Sequence, residues 1–464
     1  MSFVTRREAF LSKLDRPALL FAGGALPRNY PANLSPYRAD SNFLYFFDRP
    51  EPGSAALFDP DDRSVTLYLP ERTLDDALWH GELPSFEKVR ESSQVTRVEA
   101  LERIKEDVAA RLRGRPLDSL AVSDPRATAR ARKMTGADLA FDDDGRVTRP
   151  ELADTLFALR IRKGDDELAQ MRETAKVTLL AHLEAMRASK PGVRERTLAG
   201  LVEGAFARAG MCPAYGTILS VRGEVLHNHG HDNVLQAGDL VLLDAGAEAP
   251  SGYCSDVTRT WPVGGPFSPE ARDLYELVLE AQLKCIAMVR PGVRYRDIHT
   301  KAALVMTEGL VALGLLRGDP ASLVEQGAHA VFFPHGVGHM IGLDVHDLEA
   351  FGDRLHYPGR QRSPQFGTKY LRMDRDLEVG HVVTIEPGLY FIPAILRSRD
   401  LRAQFQQQVD FERAEQYLAF NGGRGFGGIR IEDDVVCGAE RPEVLTAAIP
   451  KDRAAVEAIA GTAG

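Results

Sequence analysis

The sequence predicts two domains: an α/β domain over residues 1–150 and a larger α+β domain over residues 151–464. Three observations predict this. A chain of 464 residues is longer than one hydrophobic core usually serves. Before about residue 150, short apolar runs alternate with helical patterns, as in an α/β layer. After it, long amphipathic helices come in pairs, and strand-like runs follow each pair.

In the first domain, Leu19-Leu20-Phe21-Ala22-Gly23-Gly24 reads as a strand ending in a turn. Residues 65–69 form a short strand before Pro70, residues 101–112 have helical spacing, and Leu120-Ala121-Val122 is a further buried strand. Residues 30–43 and Leu78-Trp79-His80-Gly81 are aromatic and polar without a clear period. They suit either packing loops or the lining of a cleft. Asp142-Asp143-Asp144-Gly145 is an acidic turn and a natural boundary. It is no EF-hand, because no Glu follows at the required spacing.

In the second domain, residues 165–189 place Leu168, Met171, Ala175 and Leu179 on one helical face, and Pro191-Gly192 stops the helix. His182 is expected on that helix face, not as a ligand. A helix over 197–209 follows, then strands over 217–221 and 240–248. Pro250-Ser251-Gly252 turns the chain, and 255–261 returns as a strand. Ser268-Pro269 opens the next helix as N-cap and first helical residue. It ends at Pro291-Gly292, and another helix covers 295–313. Two helices followed by strands, twice over, suggest an internal duplication. The runs 382–390 and 427–436 carry Glu386 and Glu432, and 393–425 reads as an insertion, helical over 405–420.

Composition excludes several classes. A net charge of −9 argues against a nucleic-acid partner, which needs concentrated Lys and Arg. No apolar run spans a bilayer, and no apolar stretch follows the basic residues of the first eight positions, so neither a membrane partner nor a secretory signal is expected. Cys212, Cys254, Cys285 and Cys437 are far apart, with no CxxC pair. All four are expected as buried thiols in a reducing cytoplasm.

The chemistry gathers around residues 334–347, which hold His335, His339 and His346 with glycines between them. Alone, this stretch suits a Gly-rich turn or a metal or proton-transfer site about equally, the glycines letting backbone and ligand come close. Acidic residues elsewhere add weight. Asp244 and Asp256 are symmetric about residue 250, so an antiparallel hairpin would set them nearly opposite, their Cβ atoms roughly 5 Å apart. Like charges so placed repel unless a cation lies between them, and a buried carboxylate needs a partner. Asp244, Asp256, His339, Glu386 and Glu432 together suit two hard or borderline divalent ions, such as Mn²⁺ or Co²⁺. Such a pair, roughly 3.5–4 Å apart, can clamp a hydrolytic transition state. No thiolate set, nucleophile elbow or Walker loop competes with this.

Five stretches carry a resemblance. Leu243-Asp244-Ala245-Gly246-Ala247-Glu248, Ser255-Asp256-Val257-Thr258-Arg259-Thr260, residues 335–347, Thr384-Ile385-Glu386-Pro387-Gly388 and Arg430-Ile431-Glu432-Asp433 stand in one order. In this, residues from about 150 onward resemble the pita-bread metallopeptidases of the aminopeptidase P and prolidase branch. Pro36-Tyr37-Arg38-Ala39-Asp40-Ser41-Asn42-Phe43 and Trp79-His80-Gly81 are similar, more loosely, to that family's N-terminal domain. The resemblance implies an α/β N-terminal domain before a pita-bread (creatinase/aminopeptidase-like) α+β catalytic domain. It implies two divalent metals per chain, Mn²⁺ foremost with Co²⁺ or Zn²⁺ as alternatives. Asp244 and Asp256 would hold the second metal, Asp256 and Glu432 would bridge, and His339 and Glu386 would complete the first.

Glu386 would also manage the proton of the attacking water, and His346 would stabilise the oxyanion. His335 would assist proton transfer or substrate binding. His227 would line the substrate pocket, and Arg430 would orient a metal carboxylate. His229 and His231 carry no assigned role. The implied substrate is a peptide with proline at its second position, whose Xaa-Pro bond is a tertiary amide without an N–H. A homodimer or homotetramer is expected. Residues 370–377 and 424–428 look more like prolidase, where an arginine at the place of Arg372 grips the substrate's terminal carboxylate with its guanidinium fork. The alternatives are therefore an Xaa-Pro dipeptidase or a carboxypeptidase-like enzyme acting on a C-terminal Xaa-Pro. Beyond these lie creatinase-like chemistry and a non-catalytic binding protein, both disfavoured by the filled ligand positions.

Overall fold

Five short strands make the first sheet: β1 (Ala18–Phe21), β2 (Ala55–Asp59), β3 (Ser64–Leu69), β4 (Arg97–Ala100) and β5 (Asp118–Ser119). Their order is β4-β3-β2-β1-β5, with β1 and β5 parallel. In the computed structural model, which describes residues 2–48, 50–141 and 150–462, this sheet belongs to a first compact unit of Met1–Asp165 with Leu348–Leu355. Every residue of β1, β2 and β3 is buried, including the polar Asp59, Ser64 and Thr66, so neither face of these strands is open to water.

The strand expected over 120–122 stops early. The Thr128 hydroxyl accepts from Val122 N (2.9 Å) and donates to Val122 O (2.8 Å), taking both backbone groups out of the ladder. Helix Pro150–Arg160 joins the first unit, not the second. Arg160 Nη1 donates to Asn42 Oδ1 (2.7 Å) and the Tyr45 hydroxyl to Leu159 O (3.0 Å). The acidic turn at 142–145 lies outside the described residues.

The segment around Trp79 is neither a packing loop nor irregular. It is helix Leu74–His80, closed at its start by a Thr73–Asp76 capping box. It buries none of its residues: Leu74, Leu78 and Trp79 are 86%, 70% and 75% exposed.

The second unit comprises Asp166–Asp347 with His356–Gly464. Its strands are β6 (Cys212–Pro213), β7 (Ile218–Ser220), β8 (Leu240–Asp244), β9 (Ala247–Glu248), β10 (Thr258–Pro262), β11 (Val382–Ile385), β12 (Gly388–Tyr390), β13 (Gly428–Arg430), β14 (Asp433–Val436) and β15 (Glu443–Val444). Sheets β10-β8-β7 and β11-β14-β15 are joined by the pairs β12-β13 and β6-β9. Helices Asp165–Ala188 and Glu195–Arg208 precede the first of these sheets, and Pro269–Ala287 and Tyr295–Ala312 precede the second. Ser268 caps the third helix through Ala271 N, with Pro269 in its first turn.

The two halves repeat in detail. Pro191-Gly192-Val193-Arg194 matches Pro291-Gly292-Val293-Arg294. Gly192 N donates to Leu235 O and Gly292 N to Leu377 O, each at 2.8 Å. The returning bonds, Leu235 N to Val193 O and Leu377 N to Val293 O, are also 2.8 Å. Gly238 and Gly380 then turn the chain with φ of 88° and 87°, where a side chain would be strained. β8 follows in the first half, ending in Leu243-Asp244, and β11 in the second, with Glu386 directly after its last residue Ile385, so Asp244 and Glu386 occupy equivalent places.

Hairpin register differs from the sequence expectation. Asp244 pairs with Thr258, and the turn centres on Ser251 through bonds such as Ala249 N to Tyr253 O (3.0 Å). Asp256 is therefore a diagonal neighbour of Asp244 on the same face, not its direct partner. The facing like-charge pair occurs in the other hairpin. Ile385 pairs with Asp433 and Gly388 with Arg430, which sets Glu386 against Glu432. Glu432 stands in the break between β13 and β14, not inside a strand. The insertion is helical in pieces, Pro393–Leu396, Arg399–Phe405 and Phe411–Gln416, and Tyr417 stacks on Phe391 at 4.0 Å. Cys254, Cys285 and Cys437 are buried, but Cys212 is exposed because β6 is a two-residue edge strand. Among the described residues no helix is long and apolar enough to cross a membrane.

Three buried histidines hold the second unit together as neutral rings. His182 Nε2 lies 3.1 Å from Ala245 O. The rings of His299 and His329 meet edge to face at 6.3 Å, and their nitrogens make no hydrogen bond. Burial lowers His182 and His299 to about 3 and His329 to about 4. A lowered histidine contributes fully above its unfolded pKa of about 6.5, and that contribution is lost as pH falls toward the folded value. Between pH 7.5 and 5, each should cost about 2 kcal/mol of stability. Urea titrations of His299→Phe should therefore show about 2 kcal/mol less acid destabilisation than wild type. Metal loss at low pH affects both proteins alike and cancels in the comparison.

Candidate metal centre

The site is built where the two hairpins meet. β8 is buried from end to end, so its last residue, Asp244, enters the interior with its charge. Gly246 lets the hairpin close, since a Cβ there would lie 1.7 Å from Ser255 O. Asp256 follows, its backbone N donating to Asp434 Oδ2 (3.1 Å). From the other hairpin come Glu386, just after β11, and Glu432, just before β14. His339 is set by its own backbone: its N donates to Thr384 Oγ1 (3.0 Å), and Thr384 N donates back to His339 O (2.9 Å).

His339 Nδ1 lies 3.0 Å from Met340 O. A carbonyl only accepts, so Nδ1 carries the proton and Nε2 faces the acids. Nε2 is 3.4 Å from Asp256 Oδ2 and 3.6 Å from Glu386 Oε1. Ligand atoms of Asp256, His339 and Glu432 all lie within 4.8 Å of one another, and all three residues are buried. His346 stacks edge-on against His339 at 4.4 Å.

The electrostatics fit a cation. Burial pushes Glu432 well up, and Asp256, Glu386 and Asp244 add to it. Burial likewise lifts Glu386 to about 7 and Asp244 to about 6. Burial alone would raise Asp256 too, but contacts from His339 and Tyr215 hold it below its usual value. Burial opposes charge on His339, yet Asp256 and Glu386 outweigh it and hold the ring at about 9. That proton and a metal on the same nitrogen exclude each other, so metal binding releases protons.

Tyr215 was not legible from the sequence. Its hydroxyl touches Asp244 Oδ1 (2.6 Å) and Asp256 Oδ1, one proton between two carboxylates. The hydroxyl has one proton and can donate fully to only one of them. The donor set of carboxylates and one imidazole therefore suits a hard or borderline metal ion.

A second layer fixes these ligands. Arg430 Nη2 donates to Asp244 Oδ2 (2.5 Å), Nε to Thr258 Oγ1 (3.0 Å) and Nη1 to the Tyr390 hydroxyl (2.9 Å). The Thr258 hydroxyl donates to Glu432 Oε2 (2.6 Å). Tyr390 OH lies 2.9 Å from His335 Nε2, and His335 Nδ1 lies 2.7 Å from Gly336 O. Burial first, then Arg430, lowers His335 to about 3. The ring is neutral, Nδ1–H donates to Gly336 O, and Tyr390 donates to Nε2. Both nitrogens of His335 are thus engaged by the protein itself, and Nδ1 also lies 4.0 Å from Glu386 Oε2. Gly336 and Gly338 are required by close packing of the chain: added Cβ atoms would lie 2.8 Å from Leu371 Cα and 2.3 Å from Thr384 O.

His227 is exposed, and partial burial of its ring, then Arg430 and Arg372, lowers it. Arg372 is half-buried, and its charge reaches His227, His335 and His339. His231 Nδ1 lies 3.0 Å from Leu219 O, and His229 is exposed. Asp434, unremarked in the sequence, is buried beside Asp256 and pushed well up, first by burial.

The chain matches the model of metallopeptidase family M24 over residues 169–439 and that of the aminopeptidase P N-terminal domain over residues 3–118. The chain belongs to metallopeptidase family M24. Within family M24 it is 33% identical over 440 residues to the Xaa-Pro dipeptidase of Homo sapiens, covering 91% of this chain and 84% of that protein. It is 32% identical to the Xaa-Pro aminopeptidase of Escherichia coli K12, covering 98% and 97%. A structure of E. coli aminopeptidase P with the inhibitor Pro-Leu superposes with a TM-score of 0.79 at 30% identity, covering 98% and 97%. The second unit is accordingly the pita-bread catalytic domain of family M24, preceded by the aminopeptidase P N-terminal domain.

A metal-centre carboxylate already pushed up by its neighbours can be made neutral at little structural cost. Glu432→Gln should keep the metal-free melting temperature within about 2 °C, yet lower the divalent metal retained per chain, read by emission spectroscopy after dialysis. A large drop in metal-free stability with full metal retention would show a purely structural Glu432.

Proposed function

We propose that the protein hydrolyses the peptide bond before proline, as an Xaa-Pro aminopeptidase, using two divalent ions with Mn²⁺ foremost. The observation that carries this is the convergence of His339 with carboxylates from both hairpins on one buried point. Similarity to Xaa-Pro aminopeptidases over nearly the whole chain supports the substrate class. Bound there, such ions would supply a Lewis acid and a water of lowered pKa. Asp244, Asp256, His339, Glu386 and Glu432 would hold them.

The remaining roles fall to side chains around the ligands. Glu386, 3.6 Å from His339 Nε2, would also manage the proton of the attacking water. Arg430 and Tyr215 hold Asp244 and Asp256 in place. His346, whose ring lies 4.4 Å from that of His339, would stabilise the oxyanion, and His227 and His335 would contribute to substrate binding. A pocket for the proline ring turns the missing N–H of the Xaa-Pro bond into specificity.

We also propose a homo-oligomer, dimer or tetramer, in the cytoplasm. The exposed Leu74, Leu78 and Trp79 on one short helix support self-association.

A second reading, an Xaa-Pro dipeptidase, is favoured by Arg372, whose charge acts on three site histidines. It also draws support from the similarity to the human dipeptidase. Arg372→Ala should raise KM for Xaa-Pro dipeptides by about tenfold or more, and KM for Xaa-Pro-Yaa peptides far less. Equal effects on both would sink the carboxylate-reading role. Comparing products from Xaa-Pro, Xaa-Pro-Yaa and Yaa-Xaa-Pro peptides with Mn²⁺ tests the function itself.

A further inference from the structure

An arginine that reads a carboxylate must already stand in place, because ordering it on binding costs affinity. Arg372 lies on an extended segment, yet the structure ties that segment on both sides. Before it, Leu371 O accepts from the Tyr357 hydroxyl and from Arg362 Nη1. Arg362 also donates to Lys369 O (3.1 Å) and lies over the Tyr357 ring at 4.8 Å.

After it comes Asp374, which is fully buried. Arg294 grips its carboxylate through Nε (2.5 Å) and Nη2. Arg360 Nη1 donates to Asp374 O (2.9 Å) and stands 3.6 Å from its Oδ1. Asp374 N donates to His356 O (2.9 Å), and Arg360 Nη2 reaches Asp376 (2.8 Å). Arg294 in turn ends the Pro-Gly-Val-Arg stop before helix Tyr295–Ala312. Tyr295 N donates to Arg375 O (2.9 Å) and its hydroxyl to Thr384 O (2.7 Å), beside the His339 anchor.

Buried ion pairs are costly to assemble and often less stabilising than apolar packing, so geometry is the better reason for this one. We propose that Asp374, gripped by Arg294 and Arg360, together with Tyr357 and Arg362 on the Leu371 carbonyl, positions Arg372 and thereby sets the preference for substrates that end in a carboxylate just after the scissile bond. This rests on the carboxylate-reading role of Arg372 given above. These are positioning residues: none of them touches substrate.

The test is steady-state kinetics of the full-length Mn²⁺-loaded enzyme on Ala-Pro and Ala-Pro-Ala. The variants are Arg372→Ala, Asp374→Asn, Tyr357→Phe and Arg372→Ala with Asp374→Asn. Asp374→Asn should raise KM for Ala-Pro about tenfold and move KM for Ala-Pro-Ala less than about twofold. Tyr357→Phe, which removes one hydroxyl and keeps the ring, should act in the same direction by about threefold. The double variant should be no worse than Arg372→Ala alone, because both changes remove one function. Equal losses on both peptides, or additive losses in the double variant, overturn the proposal. Should Asp374→Asn fail to fold, Tyr357→Phe decides by the same criterion. A selective Arg372→Ala with unselective Asp374→Asn and Tyr357→Phe overturns the positioning alone. An unselective Arg372→Ala overturns the carboxylate reader and the positioning with it.

Discussion

Four carboxylates meet at one buried point, and their mutual repulsion is the constraint that the surrounding structure answers. Two unit charges 4 Å apart cost about 4 kcal/mol at an effective dielectric of 20. Arg430, Tyr215, Thr258 and His339 offer positive charge or a proton to Asp244, Asp256 and Glu432, while Asp434 adds a further acid beside Asp256. These are too few for four acids. A cation bound among them would complete the balance.

Glu432 and Asp433 show how local this balance is. They are adjacent in sequence and both buried, yet burial and then the site's acids push Glu432 well up while Asp433 sits at about 2. Burial opposes charge on Asp433 as well, but Arg259 and Lys451 outweigh it. Successive residues of extended chain point to opposite faces. One face holds the site; the other holds Arg259, which is fully buried and donates to Asp433 Oδ1, Thr258 O and Glu432 O. Arg259 comes from the first hairpin and Asp433 from the second, so this pair fastens the two repeats just behind the ligands.

The duplication explains why the site lies between hairpins. Each repeat ends a buried strand in an acid, Asp244 or Glu386, after the same Gly turn and the same Pro-Gly-Val-Arg stop. Only the second repeat sets two acids directly opposite, and only the first sets them diagonally. The histidine segment enters from the second repeat and is pinned by Thr384 on β11. Its glycines are required by that close packing of chain on chain.

By itself the sequence determined the long helices, their stops and the paired layout, and it singled out Asp244, Asp256, His339, Glu386 and Glu432 as the candidate ligands. These follow from periodicity and from charge placed after apolar runs, which are local properties. What only the tertiary structure decided was non-local. Hairpin register shifted by two residues, because three turn-forming residues in a row do not say which is the centre. Tyr215, Tyr390 and Arg259 carried no signal, since an ordinary tyrosine or arginine becomes part of a site only by what it faces. The opening histidines changed most: His339 faces the acids, His346 stacks on it, and His335 is held by Tyr390 and its own backbone. Spacing brought these histidines to notice, but only packing against β11 and β12 could divide their tasks.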